Sequence, residues 1–334
     1  DRIHTVRQLL DAGILSRFGP LYDAARLGGA VTLAALSAPE AGFDRVAEQV
    51  NRLPSVAHNY RRDHGLNMWF VVASERPQGV AECLADIESV TGLPVYDFPK
   101  LREFYLGLWL ELDEAGGVIT VPVRQPQAKG DQSAVPPAYQ RIVAATQGGL
   151  PVVPEPFAQL GAELGLEPAT LIEALGEMLR DGVIRRIGAV PNHYRLGLRG
   201  NGMTVWDVPD ERVVELGDRI GGMDCISHCY QRPRHPEIWR YNLFAMVHGQ
   251  DREEVLEKTA RLRAALGDDV RAQDVLFSSA VLKKTGLRLA ACGIRLVSTD
   301  TLPSGTRQPG TRTAWPPSRR TDRTSGDLEP DPAL

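Results

Sequence analysis

One internal repeat limits the folds open to this chain more than any other feature. "LLDAGILSRFGPLYDAARLGG" at 9–29 lines up with "MLRDGVIRRIGAVPNHYRLGL" at 178–198, placing Gly13 on Gly182, Arg17 on Arg186, Gly19 on Gly188 and Gly28 on Gly197. Further along, "VAHNYRRD" matches "ISHCYQRP", and "GLNMWFVVASE" matches "RYNLFAMVHGQ" with Asn67 on Asn242. Such self-similarity means two copies of one structural plan. The second copy carries an insertion, "PRHPEIW", that ends on Trp239.

Hydrophobic periodicity gives both copies the same order of elements. In the second, "NGMTVWDV" alternates as a strand and "DERVVELGDRIGGM" has helical spacing. Two strands follow, "CISHCYQR" and "WRYNLFAMVH", then the helix "DREEVLEKTARLRAAL" and the strand "AQDVLFSSAVL". The first copy repeats this and closes on "REFYLGLWLEL". The order βαββαβ predicts ferredoxin-like domains over 28–112 and 198–286. Helices cover one face of each sheet, and the second copy is the natural cover for the other. Residues 136–197 read as three helices and a short hairpin, a winged helix-turn-helix, and residues 1–27 as the truncated remnant of a first one. Residues 113–135 read as a linker, and 287–334, rich in Pro, Thr, Ser and Arg, as a disordered tail. The expected fold class is α+β, two tandem winged-helix and ferredoxin-like units.

Composition excludes several function classes. A net charge of -4 gives no global attraction to phosphate or to an anionic membrane surface. The longest apolar runs fall short of a membrane span, and no charged-then-apolar leader argues for export. Cys83, Cys225, Cys229 and Cys292 lack the density of a disulfide framework, so a reducing cytoplasm is expected.

The repeat duplicates a polar triplet: His58, Tyr60 and Arg62 in the first copy, His228, Tyr230 and Arg232 in the second. Strand side chains alternate, so each triplet shares one face. If the two sheets face each other, the triplets line a common cleft. A histidine on a sheet is commonly structural, and duplication is what argues for more here. His64, His193, His235 and His248 have no counterpart in the other copy and read as structural or surface residues. A zinc site from Cys225, His228, Cys229 and His235 fails on geometry, because Cys225 and Cys229 share a strand face that His228 does not. "GGLPVVPEP" lacks the lysine of a phosphate loop.

A winged helix joined to a βαββαβ domain resembles the Lrp/AsnC regulators, making a haem- or siroheme-sensing transcription regulator the alternative reading. Such a protein needs a basic recognition helix. The candidate, "EPATLIEALGEMLRDG", sets Glu167, Glu173, Glu177 and Asp181 against Arg180, so no specific DNA partner is expected.

"DGVIRRIGAVPNHYRLGLRGNGM", "HCYQRP", "WRYNLFAMVHG" and "LKKTGLRL" resemble the siroheme decarboxylase family over roughly residues 1–290, in its fused form with the D-type half first and the L-type half second. The resemblance implies loss of carbon dioxide from two acetates of siroheme, giving 12,18-didecarboxysiroheme on the way to haem d1 or to haem by the alternative route. It implies no cofactor, since the iron belongs to the substrate, and it implies as partners a further copy or related decarboxylase subunits. Under it, His58 and His228 become proton donors, one per acetate, although either is also a candidate axial ligand to the substrate iron. Arg61, Arg62, Arg185, Arg186, Arg232 and Arg240 become candidates for the carboxylates. Tyr60, Trp69, Tyr230, Trp239 and Tyr241 become candidates to cover the ring. Arg185 and Arg186 as a solvated wing, and Trp239 and Tyr241 as packing, remain open alternatives.

Overall fold

In the computed structural model the described residues are 2–112, 114, 117–121 and 137–284; the predicted tail and most of the predicted linker lie outside them. The first half contains α1 (Arg2–Asp11), β1 (Leu15–Tyr22), β2 (Ala30–Leu36), α2 (Phe43–Arg52), β3 (Val56–Arg62), β4 (Met68–Ser74), α3 (Pro77–Thr91) and β5 (Tyr96–Pro99). Three short strands follow: β6 (Arg102–Leu106), β7 (Leu110–Leu112) and β8 (Val118–Thr120). Next come α4 (Pro137–Thr146), α5 (Pro156–Leu164), α6 (Pro168–Arg180) and β9 (Ile184–Pro191). The second half ends with β10 (Gly200–Asp207), α7 (Val213–Gly221), β11 (Ile226–Gln231), β12 (Leu243–Gly249), α8 (Arg252–Leu266) and β13 (Ala272–Lys284). No helix among the described residues is long and apolar enough to cross a membrane.

Nine strands join edge to edge in the order β5-β2-β4-β3-β13-β10-β12-β11-β6. The two end strands, β5 and β6, are separated in sequence only by Lys100 and Leu101. The sheet must therefore roll until its ends meet. Outside the first half, Val46 and Val50 of α2 and Val80, Cys83 and Ile87 of α3 press helical apolar stripes onto the strands. Helices α7 and α8 do the same for the second half through Leu216, Ile220, Val255 and Leu262. The interior is a separate apolar core to which both halves contribute, including Ala35, Trp69, Phe98, Met203, Val205 and Leu276. The helix-free faces therefore meet, as the repeat required.

The two copies interlock rather than merely stack. Strand β13 pairs with β10 over Ala272–Phe277 and with β3 over Ser278–Lys284, so one strand joins both sheets. Strand β6 leaves the first copy and pairs with β11, placing Leu106 opposite His228 and Glu103 opposite Tyr230. This corrects the expected closing strand, "REFYLGLWLEL". The first copy's sheet is closed instead by β5 on β2, and β6 satisfies the otherwise open edge of β11. A glycine makes room for the exchange, since a Cβ on Gly217 of α7 would lie 2.3 Å from the Phe104 ring.

The winged module differs from expectation in a related way. Helices α4, α5 and α6 pack around Ile142, Leu160, Leu171 and Met178 as a three-helix unit. Strand β9 forms no hairpin of its own. It pairs antiparallel with β1 of the first copy, Gly19 opposite Gly188, because the repeat supplies a matching partner strand.

Candidate active site

Both triplets lie on the helix-free face of the rolled sheet, and a duplicated irregularity puts them there. Strand pairing slips between Val56 and His58 on β3 and between Ile226 and His228 on β11. Without the slip, residues two apart would share a face; with it, Val56 and Ile226 enter the helix-side cores while the histidines turn inward. Alternation then resumes. Asn59 donates to Asn51 of α2 at 3.0 Å and Cys229 packs beneath α7, leaving His58 with Tyr60, and His228 with Tyr230, on the inner face. The internal geometry repeats as well. His and Tyr ring centroids are 6.3 Å apart in the first triplet and 6.0 Å in the second. The arginine lies over the tyrosine ring at 5.7 Å and 5.0 Å respectively.

The two arginines carry the electrostatic signal. Arg62 is 7 % exposed and donates to the carbonyl of Leu276 at 2.6 Å; Arg232 donates to the carbonyl of Phe98. Among the described residues neither forms an ion pair, and the Nε of each is buried without a hydrogen-bond partner. Burial lowers both to about 10, which still leaves them charged at neutral pH. A buried guanidinium outside any ion pair is costly, by several kcal/mol before compensation, although the charge of Asp97 offsets part of this at Arg232. Two of them at corresponding places leave two inward positive charges, one in each copy.

The histidines are held neutral. Burial lowers His58 to about 4, helped by Lys284, and lowers His228 to about 4 against the opposing charge of Glu103. Burial raises the Tyr60 and Tyr230 phenols, so both stay protonated. A neutral imidazole beside a protonated phenol and a free guanidinium is equipped to bind a carboxylate and to relay a proton once that charge arrives.

The remaining predicted residues divide. Arg185 is at the second triplet but already neutralised, at 2.6 Å from Asp23 and 3.2 Å from Glu103. Arg186 lies 4.9 Å over the Trp109 ring. Arg61 does not join the site: it has the opposite strand parity, stacks 4.4 Å over Phe43 of α2 and pairs with Glu40. Arg240 does not either, because Asp207 holds its Nε at 2.8 Å in a surface cluster with Arg234. Trp239 is 2 % exposed and wedged among Trp69, Phe98 and Phe244, so it packs the core rather than covering a ligand; Trp69, fully buried, does likewise. The insertion therefore supplies core volume. Cys225 and Cys229 are free and buried on the helix side.

Other residues also reach the triplets, among them His193 and His248, expected from the sequence to be structural or surface residues. Glu103 arrives through strand exchange, and Lys284 faces His58 across the β13–β3 ladder. Tyr194, under the ammonium of Lys284 at 5.1 Å, acts electrostatically on Tyr60 and Arg62. His193 and His248, their rings 5.1 Å apart, adjoin the second triplet. The sequence signal of the two histidines is a difference between the copies, whereas the triplets are a match.

Comparison with known proteins covers both repeats and the helical module between them. The AsnC-like ligand binding domain matches residues 26–105 and again 195–283, and the siroheme decarboxylase NirDL-like HTH domain matches 139–185. The siroheme decarboxylase NirH subunit of Paracoccus pantotrophus is 55% identical over 150 residues, 45% of this chain and 93% of that protein. The siroheme decarboxylase of Hydrogenobacter thermophilus is 33% identical over 292 residues, 86% of this chain and 84% of its own length. Among solved structures, siroheme decarboxylase NirDL in co-complex with an iron-uroporphyrin III analogue superposes with a TM-score of 0.61 at 30% identity, over 86% of this chain and 83% of that one. With both repeats matched, relatives aligned over most of their length and a solved structure sharing the architecture, the chain belongs to the siroheme decarboxylase family.

Proposed function

We propose that this chain is a carboxy-lyase that removes carbon dioxide from two acetate side chains of siroheme, giving 12,18-didecarboxysiroheme for haem d1 or alternative haem formation. The observation that carries the reading is the pair of buried guanidiniums, Arg62 and Arg232, each without an ion-pair partner among the described residues and each beside an inward histidine and tyrosine. Siroheme is a flat macrocycle edged with acetate and propionate carboxylates, and fork-shaped cations at separated places suit it. Arg186 and Arg185 are further contacts, the second after releasing Glu103 or Asp23.

Decarboxylation sends the electron pair of the broken C–C bond into the macrocycle, and a proton then forms the new methyl C–H bond. His58 and His228 deliver that proton, one per acetate. The reaction is redox-neutral and the ring is its own electron sink, so the protein needs no cofactor of its own. We place the enzyme in the cytoplasm, with a second copy or related decarboxylase subunits as partners and no specific DNA site; the acidic face of α6 suits neither phosphate nor a duplex.

Anaerobic incubation with siroheme, followed by mass spectrometry, tests this directly. Loss of two carbon dioxide masses is expected, with one deuterium in each new methyl group when the reaction runs in deuterium oxide. His58→Ala and His228→Ala should each stall the reaction, by about 10²–10⁴-fold, with siroheme still bound. Tight binding without any mass loss would instead make the chain a siroheme sensor or carrier.

A further inference from the structure

Ser227 stands between two imidazoles. Its Oγ is 2.8 Å from Nδ1 of His228 and 2.7 Å from Nε2 of His248. Nδ1 of His248 in turn lies 2.5 Å from Oδ1 of Asn201. The Asn201 amide nitrogen faces the carbonyl oxygens of Leu198 and Arg199 at 3.4 and 3.2 Å. Carbonyls only accept, so the amide must turn its NH2 to them and its oxygen to His248.

That orientation gives every later bond one direction. His248 donates from Nδ1, which leaves its Nε2 bare to accept the single proton of Ser227. Ser227 Oγ then accepts from Nδ1–H of His228. Among the described residues the competing acceptor for that hydroxyl, the Met246 carbonyl, is 3.4 Å away and too far to win. His228 is therefore held as the Nδ1–H tautomer, with Nε2 as the atom that gains and loses a proton.

The first copy has no such chain. Trp206 opposite Leu243 corresponds to Leu36 opposite Met68, so five residues along the ladders Asn201 opposite His248 corresponds to Val31 opposite Ala73. Ala57 precedes His58 as Ser227 precedes His228. Nδ1 of His58 is buried without a hydrogen-bond partner.

We propose that Asn201, His248 and Ser227 are positioning residues that lock His228 for proton delivery to one acetate, while His58 serves the other without a locked tautomer. This deepens the decarboxylase reading and rests on it. In the step, the bond from methylene to carboxylate breaks, carbon dioxide leaves and the electron pair enters the macrocycle. With the substrate carboxylates bound, neutral His228 takes a proton from water on Nε2; that proton then forms the C–H bond and leaves the imidazole neutral again. No oxidant or reductant is involved.

The test combines two readouts on the full chain. Long-range ¹H–¹⁵N NMR of the ¹⁵N-histidine-labelled protein without siroheme should show His228 protonated at Nδ1, its signals identified by their loss in His228→Gln. Ser227→Ala should move it toward the Nε2–H form and leave His58 unchanged, and Ser227→Thr, which keeps the hydroxyl, should restore it. With siroheme, Ser227→Ala should accumulate a singly decarboxylated product through a roughly 10–100-fold loss at one acetate. A wild-type His228 protonated at Nε2, an unaltered tautomer in Ser227→Ala, or equal slowing at both acetates would overturn the proposal. Absence of any carbon dioxide loss from the wild-type chain would overturn the decarboxylase reading and the delivery role with it, while the tautomer result, obtained without siroheme, stands separately.

Discussion

Lys284 stands directly opposite His58 in the ladder between β13 and β3. The lysine comes from the last strand of the second copy and the histidine from the first, so both halves build this part of the site. Burial is the larger cause of the low pKa of His58, and the ammonium adds to it. Replacing Lys284 by Met should raise the pKa of His58, and those of His193 and His248, on which the same charge acts. Titration of the imidazole C2 protons by NMR checks the direction. No upward movement would remove Lys284 as a source of the shift.

The buried guanidiniums predict opposite effects on stability and on binding. Arg62→Met and Arg232→Met each remove a buried charge that has no ion-pair partner among the described residues, so the melting temperature without siroheme should hold or rise. Siroheme affinity should fall by about 1.5–3 kcal/mol for each charged hydrogen bond lost. Calorimetry on the variants with and without siroheme separates the two effects. A fall in stability with unchanged affinity would make both arginines structural.

Acid should destabilise the fold in a defined window. His58, His193 and His228 are each lowered to about 4, and His248 well below its usual value. The unfolded chain therefore binds more protons than the folded one between about pH 6.5 and pH 4, and stability rises with pH there. Going down from pH 7.5 to pH 5 should cost on the order of 1–2 kcal/mol per histidine. Urea unfolding at the two pH values measures it. His228→Gln should flatten the slope, and a stability independent of pH over this range would contradict the buried neutral histidines.

Strand exchange predicts a strong effect from one methyl group. Gly217→Ala would place a Cβ against the Phe104 ring, so β6 should lift from β11. Overpacking of this kind costs about 1–3 kcal/mol. Hydrogen exchange should show lost protection at 102–106, and adding Phe104→Ala should restore part of it. Unchanged protection in Gly217→Ala would show that the contact does not hold the strand.

The repeat and its triplets were legible because they are matches at strand spacing. What escaped the sequence followed from other causes. The slips after Val56 and Ile226 leave no mark, since an apolar residue two before a histidine looks like ordinary alternation. Docking of β6 on β11 depends on which edge stays open, a property of the assembled sheet rather than of Arg102–Leu106. Arg61 has the charge to suit a carboxylate, but its odd position in the alternation turns it toward α2. Ser227 and His248 stand where the first copy has Ala57 and Ala73, so matching the copies leaves Ser227 unmarked and makes His248 a structural or surface residue.

The shared strands also bear on heredity. In an assembly of identical chains, any substitution beside one triplet would appear beside both. Here a single polypeptide supplies both triplets from separate stretches, and β6 and β13 fix their pairing without a second molecule. Each imidazole environment is thereby open to its own mutational history. The serine beside one histidine and the alanine beside the other record two such histories within one gene.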